Sequence, residues 1–549
     1  KLAVYSLVFF FLSGMCGLIY QVLWTRVLNL LFGHTTFAIG TVIAAFMGGL
    51  ALGSLYFGRW ADGAGPLKRF LLKQGGSPVF LAYGLMEASV GIYCLLTPFL
   101  FPLVEAVYLE FATLPFYALN VLRFFLCVLV LIVPTFLMGG TFPVMSKFFI
   151  QNLSGLGVGL GRLYFINTLG AAFGSFLAGI YLLRILGLNA TLQCAAVINI
   201  GIGVLAFLVN RNPGKREEAV RLENGGGELF AAVSPGTARL LFVLFAFTGF
   251  ASMVYEICWT RALVLALGSS IYAFSIMLTT FLLGIALGSM LFGYTAKRFS
   301  LSAAAFGWLE IATGLFCIGS IFLLGRMPNL FIAFFPLVRE SYDLIILADF
   351  LLSFLVMIVP TILMGFVFPL VGRLYTQTME KIGSSIGDIY SVNTLGCILG
   401  AFLTSFFMVP LLGVQNSLKV AVAVNLLSGL IVLYTQYQGR TVKAAVAAAA
   451  VLSVLMTGFI PGWNPAVMTS GAAVYAHMYT DRKPNFDEEG RGLLFYRDGI
   501  SSTVSVHRQG DNIYLKVNGK TDASTSGDMP TQLMLGYLPM LHHPDPKKV

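Results

Sequence analysis

The chain is 549 residues long; 58% of its residues are hydrophobic and 11% are charged. Soluble globular domains carry about 25% charged residues, so this composition excludes that class. The net charge of +10 does not indicate nucleic-acid binding, because the basic residues stand singly between apolar runs and form no basic stripe.

Thirteen apolar segments are long enough to cross a bilayer, which takes about 20 mostly apolar residues. The first six lie within residues 3–30, 36–59, 79–101, 121–149, 160–186 and 189–209. Six more lie within 238–266, 271–295, 303–325, 345–372, 385–411 and 414–435, and Thr441–Ile460 is the last. The sequence therefore predicts an all-α polytopic membrane bundle, made of two six-helix repeats plus a thirteenth helix, with a small C-terminal β-rich soluble segment.

These segments divide the chain into five units. We expect a first membrane repeat at residues 1–209, a polar linker at 210–237, a second repeat at 238–436, the additional helix at 437–460 and a soluble segment at 461–549. The linker contains the run Glu223–Glu228, whose glycines and charges are typical of a flexible, exposed connection.

The two membrane repeats are similar in sequence. Gly14–Gly58 aligns with Gly249–Gly293 at a constant offset, and both contain the motif Tyr-x-x-x-Trp-Thr-Arg. An even number of spans gives both repeats the same orientation, so an axis along the membrane normal should relate them, as in major-facilitator transporters. Further matching pairs are Pro134 with Pro360, Gly139 with Gly365, Tyr164 with Tyr390 and Asn167 with Asn393.

The distribution of basic residues predicts the orientation in the membrane. If the N-terminus is cytoplasmic, eighteen Lys and Arg residues flank the spans on that side and seven on the other. Cytoplasmic loops carry the excess of Lys and Arg. We therefore expect a multi-pass membrane protein with a cytoplasmic N-terminus, and with the soluble segment on the opposite, outer side if 441–460 crosses.

Ionisable residues inside membrane spans are costly and often functional. Glu87 and Glu310 occupy matching places in the third span of each repeat, and Glu256 stands where the first repeat has Gln21. Two interpretations remain open for such residues, a transport or ligand pathway and buried pairs that fix helix register. The candidates are Glu87, Glu310, Glu256, Arg26, Arg261, Arg123 and Asp349, of which Arg123 and Asp349 are predicted to pair across the axis between the repeats.

Several other residues favour structural roles. Pro134 and Pro360 should break or kink their helices, whereas Asn167 and Asn393 should hydrogen-bond between helices. The glycines at 155, 157, 159 and 161 are predicted to form a loop. The seven cysteines lie in or beside apolar segments without a CxxC, so we expect neither a metal site nor a disulfide.

The C-terminal segment changes to a β pattern. Strands are predicted at Leu493–Tyr496, Thr503–Val506 and Ile513–Val517, followed by a helix at Thr531–Leu541 that Asp528 would cap. So few elements form a marginal core, so we expect a partner subunit or further chain to complete the segment.

Short motifs in this segment resemble the N-terminal part of spermidine synthases, the polyamine aminopropyltransferases. They are Tyr496–Gly499, Val517–Lys520, Asp528, Thr531-Gln532, Leu538-Pro539 and His543–Val549. The whole chain resembles bacterial membrane proteins in which a transporter-like (major-facilitator-like) part is fused to a spermidine synthase.

This resemblance implies a Rossmann-like catalytic domain beyond Val549, decarboxylated S-adenosylmethionine as the donor, and Asp522, Asp528 and Gln532 near the substrate. The chain departs from the family pattern where Thr531 replaces an aromatic residue, Leu533 an acid and Asp522 a glutamine. No cofactor is expected within the chain itself.

Three functions therefore remain open. The first is a membrane-anchored, aminopropyltransferase-like protein, of which this chain alone would not be catalytically competent. The second is a transporter or binder of a polyamine or other small molecule. The third is a membrane scaffold whose synthase-like segment docks a partner subunit. The expected surroundings are a lipid bilayer and no nucleic acid.

Overall fold

The computed structural model describes residues 2–32, 36–73, 76–111, 113–210, 233–481 and 490–547, and within them thirteen helices are long and apolar enough to cross a membrane. Most of the predicted linker, including Glu223–Glu228, lies outside the described residues. The first six helices are α1 (Leu2–Phe32), α2 (Thr36–Asp62), α3 (Pro78–Glu110), α4 (Phe116–Phe149), α5 (Leu156–Phe176) and α6 (Gly187–Asn210).

The second repeat follows the same pattern. Its helices are α7 (Pro235–Leu267), α8 (Ile271–Thr295), α9 (Ala303–Leu324), α10 (Tyr342–Tyr375), α11 (Ile382–Leu403) and α12 (Val414–Gln436), and α13 (Arg440–Gly458) comes next. Both α5 and α11 continue into a π-helical turn at matching places, Leu177–Leu182 and Thr404–Met408. Short helices at Pro66–Leu72 and Met327–Val338 lie between the long ones.

Prolines do not break α4 or α10, contrary to one of the two predicted outcomes. Each helix runs through its proline, Pro134 or Pro360. The missing N–H of Pro134 leaves the carbonyl of Val130 without its helical donor, and the hydroxyl of Tyr93 donates to that carbonyl at 2.8 Å. A neighbouring helix thus satisfies the freed backbone group, which is how membrane helices tolerate proline.

The two repeats meet along two equivalent seams, α2 with α11 and α5 with α8. On the first seam a Cβ at Gly58 would lie 2.5 Å from the carbonyl oxygen of Gly383, and Ser391 donates to the carbonyl of Ala51 at 2.8 Å. On the second seam a Cβ at Gly161 would lie 2.9 Å from the carbonyl oxygen of Ser289. Small residues let these backbones approach closely.

The predicted glycine loop is wrong. Gly155 ends a 3₁₀ turn, and α5 begins at the next residue, so Gly157, Gly159 and Gly161 lie inside the helix. Gly159 packs against Ile150, and Gly161 lies on the α5–α8 seam. These glycines serve close packing rather than a turn.

Two ends of the bundle can be distinguished. We call the end at which α1 begins the N-terminal end and the opposite end, where α13 finishes, the tail end. At the N-terminal end one hydrophobic core joins both repeats and includes Phe10, Phe142, Phe245 and Phe368. Toward the tail end there are two cores, one around Trp24 of the first repeat, to which Leu278 of α8 also belongs, and one around Trp259 of the second.

Within residues 461–547, here called the tail, the described residues (461–481 and 490–547) form a small α+β unit. Short helices at Pro465–Met468 and Ala472–Asp481 precede β1 (Leu493–Asp498), β2 (Thr503–Gln509), β3 (Asn512–Val517) and β4 (Lys520–Ser524), an antiparallel sheet in sequential order. The helix α14 (Met529–His542) ends the unit. The sheet and helix confirm the predicted β-rich segment and add β4, which follows an Asn518-Gly519 turn with positive φ at both residues.

Candidate functional site

Polar side chains form a stripe along α7 in the part of the bundle that lies between its ends. Ser252, Glu256 and Thr260 recur every four residues on one side of the helix, and all three are partly exposed. The equivalent partly exposed residues on α1 are Gln21 and Thr25. Because polar side chains at membrane depth face the bundle interior or a water-filled space, these stripes are candidates for the lining of a solute path.

Glu256 is the charged member of these stripes. It lies close enough to Cys397 of α11, a seam helix, for the two side chains to interact electrostatically. Among the described residues no hydrogen bond or ion pair reaches its carboxylate. The first repeat has the neutral Gln21 at this place, so the two stripes differ by one carboxylate.

Glu87 is held inside the first repeat, away from the seams. It is 2% exposed, and its carboxylate accepts hydrogen bonds from Ser13 Oγ and Asn199 Nδ2, both at 2.6 Å. Tyr20 of the duplicated motif donates to Asn199 Oδ1 at 3.2 Å. The network ties α1, α3 and α6 together.

Glu310 has the same surroundings in the second repeat. Its carboxylate accepts from Thr248 Oγ1 at 2.8 Å and from Asn425 Nδ2 at 2.5 Å, and Tyr255 donates to Asn425 Oδ1 at 2.8 Å. Sequence reasoning named Glu310 and missed Asn425 and Thr248. The signal was available, since Asn199 and Asn425 have the same 226-residue separation as Asn167 and Asn393.

Arg261 lies near the tail end of α7 and binds the tail. Its guanidinium donates to the carbonyls of Gly499 at 2.8 Å and Ile500 at 3.3 Å. The neighbouring Asp498 accepts from Thr503 Oγ1 at 2.7 Å and from the backbone N–H of Val414, at the start of α12, at 3.0 Å. Arg261 is therefore a docking residue for the tail.

Arg26 occupies the equivalent place in the first repeat and is partly exposed. Among the described residues, the hydrogen bonds between the tail and the bundle all go to the second repeat. Trp463 Nε1 donates to the carbonyl of Ile321 at 2.8 Å, and Asn518 Nδ2 donates to Ser269 Oγ at 3.1 Å. The tail thus breaks the symmetry between the two repeats.

The predicted ion pair between Arg123 and Asp349 is not present. The guanidinium of Arg123 donates to the hydroxyl of Tyr108 at 2.6 Å and to Asn120 at 3.1 Å. Asp349 is 7% exposed, and its Oδ1 has no hydrogen-bond partner among the described residues. The two residues lie in separate repeats and each faces its own neighbours.

Six aromatic rings close the N-terminal end between the repeats. Phe142 and Phe368 meet across the interface with ring centroids 5.4 Å apart, and Tyr164 stacks on Phe368 at 4.5 Å. Tyr390 packs on Phe142 at 6.0 Å. The cluster, here called the aromatic plug, consists of Phe10, Phe142 and Tyr164 with their equivalents Phe245, Phe368 and Tyr390.

Charged groups reinforce this closure. Asp62, at the end of α2, pairs with Lys147 at 2.7 Å and accepts from the backbone N–H groups of Gly383 at 3.1 Å and Ser384 at 2.6 Å. These two N–H groups belong to the first turn of α11, where the helix dipole favours an anion. Arg59 and Asp388 add a second cross-repeat ion pair at 3.0 Å.

The three tail residues implied by the synthase resemblance make different contacts. Asp522 makes an exposed ion pair with Lys520 at 3.5 Å. Asp528 precedes α14, but its side chain makes no capping hydrogen bond, so the predicted cap is absent. Gln532 lies in the first turn of α14, with its Nε2 buried and without a hydrogen-bond partner in the described part of the chain.

Burial shifts two titratable groups of the tail. It raises the pKa of Tyr496, which donates to Asp498 Oδ1 at 3.2 Å. Burial, aided by the nearby Lys516, lowers the pKa of His507 to about 4. No group of three or more His, Cys, Asp or Glu side chains that could hold a metal ion occurs in the described residues.

Solved structures share the arrangement of α1–α12. The human organic anion transporter MFSD10 (TETRAN) has a TM-score of 0.50 and 16% sequence identity, over 79% of this chain and 100% of that chain. A bacterial homologue of the iron transporter ferroportin, in an outward-facing state, has a TM-score of 0.50 and 14% identity, over 82% of this chain and 100% of that chain. The fold is that of the major-facilitator transporters.

At these identities the likeness shows the fold alone. No protein-family model matches the sequence, and no curated protein matches it. The two seams fit this fold, whose halves are related by an axis along the membrane normal.

Proposed function

We propose that this chain is a membrane transporter that carries a small solute between its two repeats by alternating access. The observation on which this rests is the pair of polar stripes on α1 and α7 inside a major-facilitator fold, one of which carries a carboxylate that has no hydrogen-bond or ion-pair partner in the described part of the chain. Of the three functions that the sequence leaves open, transport has the most support.

The closed N-terminal end and the two cores at the tail end support the mechanism. A solute would enter from the tail end and reach the stripes. The aromatic plug and the Asp62 contacts would then have to separate to release it, while the seams act as the surfaces on which the repeats rock. The alternation needs two states of similar free energy.

Cys397 provides the test, because it lies beside Glu256 and is partly exposed. In sealed vesicles we expect a membrane-impermeant maleimide to label Cys397 from the tail side. The double variant D62N/F142A should shift labelling toward the N-terminal side, because it removes closing contacts at that end.

The background for this assay is C194S, which removes the other exposed cysteine, and C397A is the control for specificity. Labelling whose sidedness is the same in the double variant and the parent would contradict alternating access.

The orientation is part of the proposal. The excess of Lys and Arg supports a cytoplasmic N-terminal end, and an odd number of crossings then puts the tail on the periplasmic side of a bacterial inner membrane. Protease added outside spheroplasts should cleave the tail; cleavage only after lysis would reverse the assignment.

A second hypothesis concerns the tail. Its resemblance to aminopropyltransferases is supported by the quoted motifs and by an antiparallel sheet followed by a helix, and this is weaker support than the transporter has. Incubation of the protein with decarboxylated S-adenosylmethionine and putrescine tests it. Formation of spermidine would support an enzyme in which Asp522, Asp528 and Gln532 help to bind the substrate. If no spermidine forms and a fixed subunit copurifies, the scaffold hypothesis is favoured.

A further inference from the structure

Three glutamates lie within the bundle among the described residues, Glu87, Glu256 and Glu310, and a further buried acid, Asp349, lies near the start of α10 at the tail end. The basic residues of the long helices lie toward the helix ends, namely Arg26, Arg123, Arg261 and Lys419 toward the tail end and Arg59, Lys147, Arg162, Arg239, Arg373, Arg440 and Lys443 toward the N-terminal end.

Two of the three glutamates have hydrogen-bond donors for both carboxylate oxygens. Glu87 and Glu310 each accept hydrogen bonds on both carboxylate oxygens from neutral donors of their own repeat. Their exposed fractions are 2% and 1%, so no solute reaches them without unfolding the local packing. They serve the architecture of each repeat.

Glu256 differs in both respects. It is partly exposed, and no donor or cation of the described chain reaches it. A carboxylate at membrane depth is costly unless an opposite charge accompanies it. Gln21 on the matching stripe offers an amide and no charge. The partly exposed Arg26 of the same helix lies five residues nearer the tail end than Gln21, so the stripes carry no cation at the level of Glu256.

The exit from the path also favours positive charge. The faces of aromatic rings attract cations, and the aromatic plug presents such rings at the N-terminal end of the path, with Tyr164 and Tyr390 partly exposed. No basic side chain belongs to the plug. An anionic solute would meet one carboxylate and several negative ring faces.

Resting on the proposed function, we infer that the transported solute is an organic cation and that Glu256 is its counter-charge on the path. The neutral Gln21 opposite leaves a single negative charge to share, which suits a monovalent ammonium or one amine of a larger cation. Glu256 binds the solute directly, and Ser252 and Thr260 offer hydroxyls on either side of it.

Uptake into proteoliposomes tests the charge preference. The full chain is reconstituted and given radiolabelled cations (tetraethylammonium, putrescine and spermidine), an anion (p-aminohippurate) and a neutral solute (uridine). We expect uptake of at least one cation and neither of the others. E256Q should lower the initial rate by about tenfold or more, the scale of one lost charge-assisted contact, whereas E105Q, an exposed acid outside the path, should leave it unchanged.

A charge swap separates a binding role from a folding role. E256Q/Q21E moves the carboxylate to the equivalent place on α1, and we expect it to recover part of the cation uptake that E256Q loses. Thermal unfolding of E256Q, E105Q and the swap variant in detergent controls for folding. Recovery requires that both stripes face one path, which a merely structural role of Glu256 would not produce.

The outcomes are distinguishable. Uptake of p-aminohippurate or uridine without any cation would overturn the cation inference and leave the transporter proposal standing. A role for Glu256 as a proton carrier would also overturn the cation inference. In that case a non-cationic solute is taken up in a pH-dependent manner, and E256Q abolishes the pH dependence of its uptake. If none of the five solutes moves and Cys397 labelling also keeps one sidedness, both proposals fail.

Discussion

Arg261 and Asp498 hold the tail on the second repeat through contacts that a single atom change can weaken. D498N keeps the shape but removes the charge that faces Arg261, and its N–H group cannot accept from Val414 and Thr503 as the carboxylate does. We expect a loss of docking free energy of about 1–3 kcal/mol and faster proteolysis of the tail. D522N is the matched control, because the Asp522–Lys520 pair is exposed and worth little; equal effects of both variants would refute the docking role.

His507 predicts how the tail responds to acid. Its pKa is about 4 in the folded tail and about 6.5 when unfolded. Between these values the unfolded state binds more protons, so stability should be constant above about pH 6.5 and fall as the pH drops from about 6.5 toward 4. Thermal unfolding over this range measures the slope. H507Q should flatten it; an unchanged slope would assign the acid sensitivity to another group.

At the scale of residues, the sequence predicted the charged positions better than their partners. Glu87 and Glu310 stood out because ionisable residues are rare in the spans, but Asn199 and Asn425 look like any helix-bonding amide until the fold brings α6 and α12 beside them. The predicted pair of Arg123 with Asp349 was wrong, because residues at equivalent positions in two repeats need not contact each other. An acceptor such as the Tyr108 hydroxyl oxygen, in its own repeat, lies nearer.

The α2–α11 seam depends on glycine at one point and tolerates a side chain at another. G58V places a Cβ 2.5 Å from the carbonyl oxygen of Gly383, so the backbones must separate. We expect the N-terminal end to open and Cys397 labelling to shift toward that side. G48V, on the same helix, meets no atom within 4 Å and should behave as the parent does. Similar labelling in both variants would mean that the seam does not set the closed state.

Helix boundaries were predicted well where hydropathy alone decides them and poorly where packing does. The glycines before and within α5 carry every local sign of a loop, yet the close approach of α8 and Ile150 requires them in a helix. The strand β4 is polar and short, so nothing in its sequence announces it. It forms because the Asn518-Gly519 turn returns the chain beside β3.

Rocking of the repeats should carry the tail with the second one. Labels at Gln509 in the tail and Glu105 in the first repeat should change their separation when a transported solute is added. Labels at Gln509 and Arg339, both on the second-repeat side, should not. Pulsed dipolar spectroscopy on a background without the seven native cysteines measures both distances. A constant first distance, with a solute that is demonstrably transported, would show that the tail does not follow the rocking.

At the scale of the molecule, duplication in the sequence was sufficient to predict two like-oriented bundles. It could not predict where the tail lies. Docking depends on Arg261 and Val414 meeting Asp498, and the first repeat has the same motif arginine, Arg26, without tail contacts among the described residues. Only the position of the polypeptide after α13 decides which of the two equivalent surfaces is used.

The thirteenth helix has a consequence for how the protein is made. If α13 crosses the membrane, as the proposed orientation requires, thirteen crossings put the tail and the N-terminus in different compartments. The tail then has to be translocated before its sheet can form. It arrives beside an inserted second repeat whose Arg261 and Val414 are already in place. Docking of the tail would then depend on correct insertion of the second repeat. In a nascent chain whose second repeat is wrongly inserted, the tail would stay undocked and accessible to proteases.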